Sequence, residues 1–272
     1  MRSVRLAALA IACATSAVTA QSPEEPQLLF SIAGGIAAGG GSLWSLPQQP
    51  VQVLGSTEQD TLGVGRYLRP AVALTLGATY YRSQHLGLTA EAGYFGVASE
   101  SRCIPPSAWK ADAENKNQLT CTQIQGAHVP TSLVGFQVGL SYRFSPGRKV
   151  QPYARLAAGV GLLANSFVRT DAAIPFSNCS LTGNVCTMVF VDGESTPEFA
   201  LLASLAAGAT IEISSGYRFR FEARDLIVDL PVPAGNASPG NALAPVERSL
   251  RHIPVFTAGL DVVLERRRGR RY

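Results

Sequence analysis

The sequence predicts an all-β chain: a transmembrane up-and-down antiparallel β-barrel of about eight strands, preceded by a cleaved leader. Three observations carry this. About eight segments place an apolar residue at every second position. The connections between them alternate, four long and three short. Short turns on one side and long loops on the other are the connectivity of a barrel that crosses an outer membrane.

The first 20 residues read as a signal peptide. Arg2 and Arg5 give the basic start, Leu6 to Ala12 the apolar run, and Ala17-Val18-Thr19-Ala20 the small-residue cleavage site. The run is too short for a membrane anchor. Lipidation at Cys13, after Ala10-Ile11-Ala12, is the rival reading. The barrel is expected over 21–265 as one domain, with a basic tail over 266–272.

Strands are expected at 27–38, 70–81, 86–97, 131–144, 151–164, 198–213, 217–229 and 253–265. The clearest is TSLVGFQVGLSYRF at 131–144. There Val134, Phe136, Val138, Leu140 and Tyr142 alternate with Gly135, Gln137, Gly139, Ser141 and Arg143. The glycines at 34, 35, 39, 40 and 41 argue against a spanning helix near the start. Tight turns fall at 82–85, 145–149 and 214–216, where Ser, Pro and Gly are concentrated. The long connections, roughly 39–67, 98–131, 165–197 and 230–252, show no helical patterning and would be unusual in a compact soluble domain.

The polar face is mostly Gly, Ser, Thr and Ala, which suits the cramped interior of an eight-stranded barrel. The apolar face is continuous, and Tyr80, Tyr142, Phe144, Tyr217 and Phe219 gather near the tight turns like an interfacial girdle. The apolar face is therefore assigned to lipid, and the location to a bacterial outer membrane.

QPYARLAAGVGLL at 151–163 and FRFEARDL at 219–226 resemble strands of the OmpA-like outer-membrane barrel family. The resemblance spans the chain after the leader and implies a transmembrane barrel. Such barrels usually end in an aromatic residue on the last strand. Here VFTAGLDVVLE runs on into RRRGRRY, which displaces Tyr272 from the strand.

Without Arg2 and Arg5 the chain holds 21 Lys and Arg against 19 Asp and Glu. Five of those positives are Arg266, Arg267, Arg268, Arg270 and Arg271. A basic tail on a near-neutral body lacks the platform or recognition helix of a nucleic-acid binder. The tail reads either as a contact for anionic lipid headgroups or as a solvated end.

Cys103, Cys121, Cys179 and Cys186 remain after the leader, an even count in an exported chain. Three pairings are open. Cys103–Cys121 and Cys179–Cys186 are favoured because each pair lies within one loop. There is no CxxC, and His85, His128 and His252 are the only histidines, so no metal or cofactor is expected. GVGLLA at 159–164 matches a dinucleotide-binding string but lacks a following helix. No base, nucleophile and carboxylate converge, so no catalytic residues are assigned.

Glu91, Glu212, Glu222 and Asp261 share the predicted lumen face with Arg143, Arg155, Arg218, Arg220 and Arg224. Buried charges need partners, so these are expected to form a plug; a gated ion path is the other reading. The expected role is structural, adhesive or surface-binding through the long loops, with a small porin-like diffusion channel as the alternative. Expected partners are outer-membrane lipid and a surface ligand or host protein, with no nucleic acid. A monomer is expected.

Overall fold

The computed structural model describes residues 27–39, 41–51, 60–109, 115–164, 170–175, 185–191, 198–214, 216–234 and 246–264. The leader with Cys13, the arginine tail, Cys179 and the side chain of Cys186 lie outside the described residues. In chain order the strands are β1 (Gln27–Ala37), β2 (Ser42–Val51), β3 (Asp60–Leu68), β4 (Ala71–Tyr81), β5 (Leu86–Gly96) and β6 (Ser99–Ile104). Helix α1 (Lys116–Ile124) follows, then β7 (His128–Val129), β8 (Ser132–Arg143), β9 (Val150–Leu163), β10 (Thr170–Pro175) and β11 (Val185–Val191). The chain continues with β12 (Glu198–Ser214), β13 (Tyr217–Pro233) and β14 (Val246–Leu264).

Eight strands close an antiparallel barrel in the order β1-β4-β5-β8-β9-β12-β13-β14, and β14 pairs back onto β1. Ser31 faces Gly77 on β4 and Asp261 on β14. Following paired residues the long way round, from Gly77 through Glu91, Gln137, Gly159, Leu202 and Val228, arrives at Arg251. Arg251 is ten residues from Asp261, so the shear is ten. With strand spacing and rise at their ordinary values, this corresponds to a tilt of about 40°.

The turns do what their sequences require. Gly147 and Gly216 have φ of 75° and 89°, a region L side chains rarely adopt. Outward positions carry the apolar face: Val138 is 68% exposed, Phe136 64% and Leu88 63%. Inward, Ala73, Thr75 and Thr79 on β4 are buried while Val72, Leu74 and Leu76 face out. Membrane-spanning backbone must satisfy its own polar groups, and a closed sheet does so without an edge. Among the described residues no helix is long and apolar enough to cross a membrane.

Two expectations need correction. The first three long connections carry secondary structure, the third as the paired strands β10 and β11. β2, β3, β6 and β7 form a four-stranded sheet beyond the barrel rim. Helix α1 is bound to β6 by the Cys103–Cys121 disulfide, with Cα atoms 5.4 Å apart. These pieces hold together because Leu43, Trp44, Leu46, Leu62 and Val64 are buried in a core continuous with the barrel interior. The last hairpin is also longer than its alternation suggests. β13 and β14 stay paired out to Pro233 and Val246, beyond the point where β1 ends opposite Val255. Leu230 and Val232 on this extension join the same core.

Candidate functional site: a lumen closed in two tiers

Along each barrel strand the inward side chains change character from the turn end to the loop end. On β13 the series is Arg218, Arg220, Glu222, Arg224, Leu226, Val228 and Leu230. On β5 it is Thr89, Glu91, Gly93 and Phe95. On β9, Tyr153 and Arg155 give way to Gly161 and Leu163. The lumen is therefore charged near the tight turns and apolar near the long loops.

The charged tier centres on Glu91 and Glu222. Arg224 bridges them. Its Nη2 donates to Glu91 Oε2 at 2.8 Å and to Glu222 Oε1 at 2.6 Å, its Nε donates to Glu222 Oε1 at 3.0 Å, and its Nη1 also contacts Glu91. Arg155 Nη1 donates to Glu91 Oε2 at 2.8 Å and lies 3.6 Å from Glu222 Oε2. Tyr153 Oη donates to Glu222 Oε2 at 2.8 Å. The Tyr153 ring lies over Gly208, its cross-strand partner, where a Cβ would stand 2.8 Å from the ring carbon that bears the hydroxyl. Only glycine there lets the ring lie flat against the wall. Glu91, Glu222, Arg155 and Arg224 are all at most 8% exposed, so the pairing takes place away from solvent, and within it Arg155 Nε is left without a partner.

Nearer the turns, Arg220 Nε and Asp261 Oδ1 stand 3.8 Å apart, and neither atom has a closer protein partner. They border a small cavity of about 10 Å³, the size of one water, with Thr79, Ser141 and Thr210 also on its wall. Arg143 lies over the Tyr81 ring, 3.4 Å from its centroid, and its Nη1 donates to Gln27 Oε1 at 3.0 Å. Tyr81 Oη is 2.9 Å from Ser141 Oγ. A neutral layer caps the charged tier, with Ser204 Oγ donating to Gln137 Oε1 at 2.6 Å.

The apolar tier follows. Phe95, Leu133, Leu163, Leu202, Leu226 and Val255 are at most 3% exposed and pack with the loop-sheet residues Leu43, Leu46 and Val64. This tier is absent from the sequence expectation, although its signal is present: the inward series of β5, β8, β9, β12, β13 and β14 carry large apolar residues next to a long loop, while those of β1 and β4 end in Ala37 and Ala73.

Not every expected lumen charge lies in the plug. Glu212 is exposed at the turn end, opposite Arg218 in the register. It precedes the β-bulge between Glu212 and Ser214, where the wall ends. Arg218 is half-buried at the same mouth. The histidines sit apart from one another. His85 Nδ1 lies 2.8 Å from the Arg143 carbonyl, and its ring stacks on Tyr142. Both ring nitrogens of His128 lie near Arg69 Nη1, at 3.1 and 3.2 Å. His252 Nδ1 is 2.7 Å from Asp225 Oδ2 on the outer wall, a pair the sequence reading missed. The wall positions around it, Ile227, Leu250 and Pro254, carry no nucleophile. Among the described residues no three His, Cys, Asp or Glu side chains are grouped to hold a metal.

A closed barrel with an apolar outer wall, tight turns at one end and long loops at the other is an integral protein of the bacterial outer membrane. No family model matches the chain, and no curated protein matches its sequence. Solved structures resemble its fold. The outer membrane protein OprG from Pseudomonas aeruginosa is 15% identical with a TM-score of 0.45, covering 90% of this chain and 100% of that one. Neisserial surface protein A is 11% identical with a TM-score of 0.36, covering 88% of this chain and 99% of that one. Ail of Yersinia pestis, solved with the heparin analogue sucrose octasulfate, is 11% identical with a TM-score of 0.37, again over 88% and 99%.

Proposed function

We propose that this protein is a non-conducting barrel that fixes a folded platform on the cell surface, with a structural, adhesive or ligand-binding role exerted through the long loops. The observation that carries this reading is the double closure of the lumen. Arg224 and Arg155 hold Glu91 and Glu222 in one tier, and the loop sheet packs into the barrel mouth in the other. A barrel of eight strands has room for side chains rather than a wide channel. The partners on this reading are membrane lipid around the outer wall and a surface ligand or host protein at the loops. One copy suffices, because the barrel leaves no open edge within the membrane. No catalytic residue, cofactor or nucleic acid enters.

The second reading is a small diffusion channel. It is favoured by the surplus of buried cations: Arg143, Arg155, Arg220 and Arg224 face Glu91, Glu222 and Asp261. Such a path would prefer anions. Planar-bilayer recording of the purified protein separates the two. The non-conducting reading expects a baseline trace, and a steady anion-selective current would replace it with the channel.

A further inference from the structure

We infer that the turn-end mouth of the barrel binds the carboxylate end of a short peptide, with Arg143 and Arg218 taking the carboxylate and Gln151 accepting an N–H from the ligand. The mouth holds an open pocket of about 290 Å³. Gln27, Tyr81, Ser83, Arg143, Gln151 and Arg218 line it, together with backbone of the tight turns, so it opens to the periplasm.

Its lining contains two arginines and no carboxylate. Among the described residues neither Arg143 nor Arg218 has a carboxylate within ion-pair distance. Arg218 lies opposite both Asp261 and Glu212 in the register, but Asp261 is engaged with Arg220 and Glu212 is exposed at the rim. Arg218 Nη1 has no hydrogen-bond partner. Arg143 is 7% exposed and fixed by Tyr81 and Gln27, two neutral groups. A buried guanidinium without a counter-charge is unfavourable, and its planar fork matches a carboxylate in two-pronged geometry. Arg143 is therefore a pre-set anion receptor.

Gln151 narrows the ligand further. It is 2% exposed. Its Nε2 donates to the Arg148 carbonyl at 3.0 Å. That carbonyl can only accept, so the amide orientation is fixed. Oε1 is left buried without a donor. A simple anion would leave it so. A ligand carrying an N–H near its carboxylate satisfies both halves of the site, and a peptide terminus has that pairing. The volume suits about two residues, at the small end of ligand pockets.

The test uses the full chain in detergent micelles and titrates glycylglycine, its C-terminal amide and acetate by calorimetry. Glycylglycine should bind saturably, and the amide and acetate should each bind at least tenfold more weakly. Arg218→Gln should weaken glycylglycine at least tenfold. Gln151→Leu should weaken glycylglycine while leaving acetate unchanged. Arg82→Gln, on an exposed turn cation outside the pocket, serves as the charge control, and heat-modifiable gel mobility confirms folding of each variant. Equal affinity for the peptide and its amide, or an equal loss in Arg82→Gln, would overturn the site. Co-sedimentation with purified cell-wall sacculi, displaced by glycylglycine, assigns the peptide to the wall; binding without sedimentation assigns it to soluble periplasmic peptides.

Discussion

The turn end and the loop end of the lumen are walled by the same eight strands and closed by opposite chemistry. At the turn end the charges are brought from far apart in sequence. Glu91 and Arg224 come from β5 and β13, which are not neighbours in the barrel. At the loop end the closure is apolar and depends on material outside the barrel, the sheet of β2, β3, β6 and β7. The difference has a physical basis. Ion pairs are directional and need a rigid frame, which the short turns provide. Apolar packing is non-directional and can be completed by a loop sheet. The two tiers also fail differently. Removing one partner of a buried ion pair strands a charge, whereas trimming an apolar side chain leaves a cavity whose cost depends on how far the surroundings relax.

The largest expected effect comes from Arg224→Leu. It removes the bridge between Glu91 and Glu222 and should cost about 3–5 kcal/mol. Urea unfolding in micelles measures it, and a loss below 1 kcal/mol would mean that the tier is not held by this residue. Leu226→Ala, at 0% exposure in the apolar tier, should cost about 3 kcal/mol by the same measurement. Neither substitution alone should open a current, because the other tier remains closed. The double variant should conduct in a planar bilayer. A current in either single variant would show that one tier does all the sealing.

Arg155→Leu should cost less, about 2 kcal/mol. Glu91 keeps its contact with Arg224, and Glu222 keeps Arg224 and Tyr153. If Arg155→Leu equals or exceeds Arg224→Leu in the same titration, the hub has been misplaced. The smallest effect belongs outside the lumen. Arg248 pairs with Asp229 at 2.8 Å on the outer wall of the extended hairpin, with its side chain 47% exposed. Arg248→Ala should change stability by less than about 1 kcal/mol. A loss comparable to that of Arg224→Leu would erase the distinction between buried and exposed ion pairs in this protein.

The barrel is legible in the alternation of residues along the chain. Period two from Val134 to Arg143, and its repeats in seven other segments, assigns each side chain to lipid or lumen, because a one-residue slip would drive Arg143 or Arg155 into hydrocarbon. Strand number and direction follow from the three short turns. The loop sheet was not legible. β3 is buried on both faces, so its residues do not alternate. β2 carries Pro47 and Pro50, and α1 has no apolar stripe. The ends of β13 and β14 were missed because Pro231 and Pro233 interrupt the pattern that the pairing carries through.

The lumen partners required the tertiary structure. Period two places Glu91, Glu222, Arg155 and Arg224 on one face, but which carboxylate meets which guanidinium depends on strand tilt. A shear of ten sets residues from non-adjacent strands at one height across the lumen. The same geometry takes Glu212 out of the plug and leaves Arg143 and Arg218 without a carboxylate partner among the described residues. Alternation along a strand is a local property of the backbone, and heights across a barrel exist only once the sheet has closed.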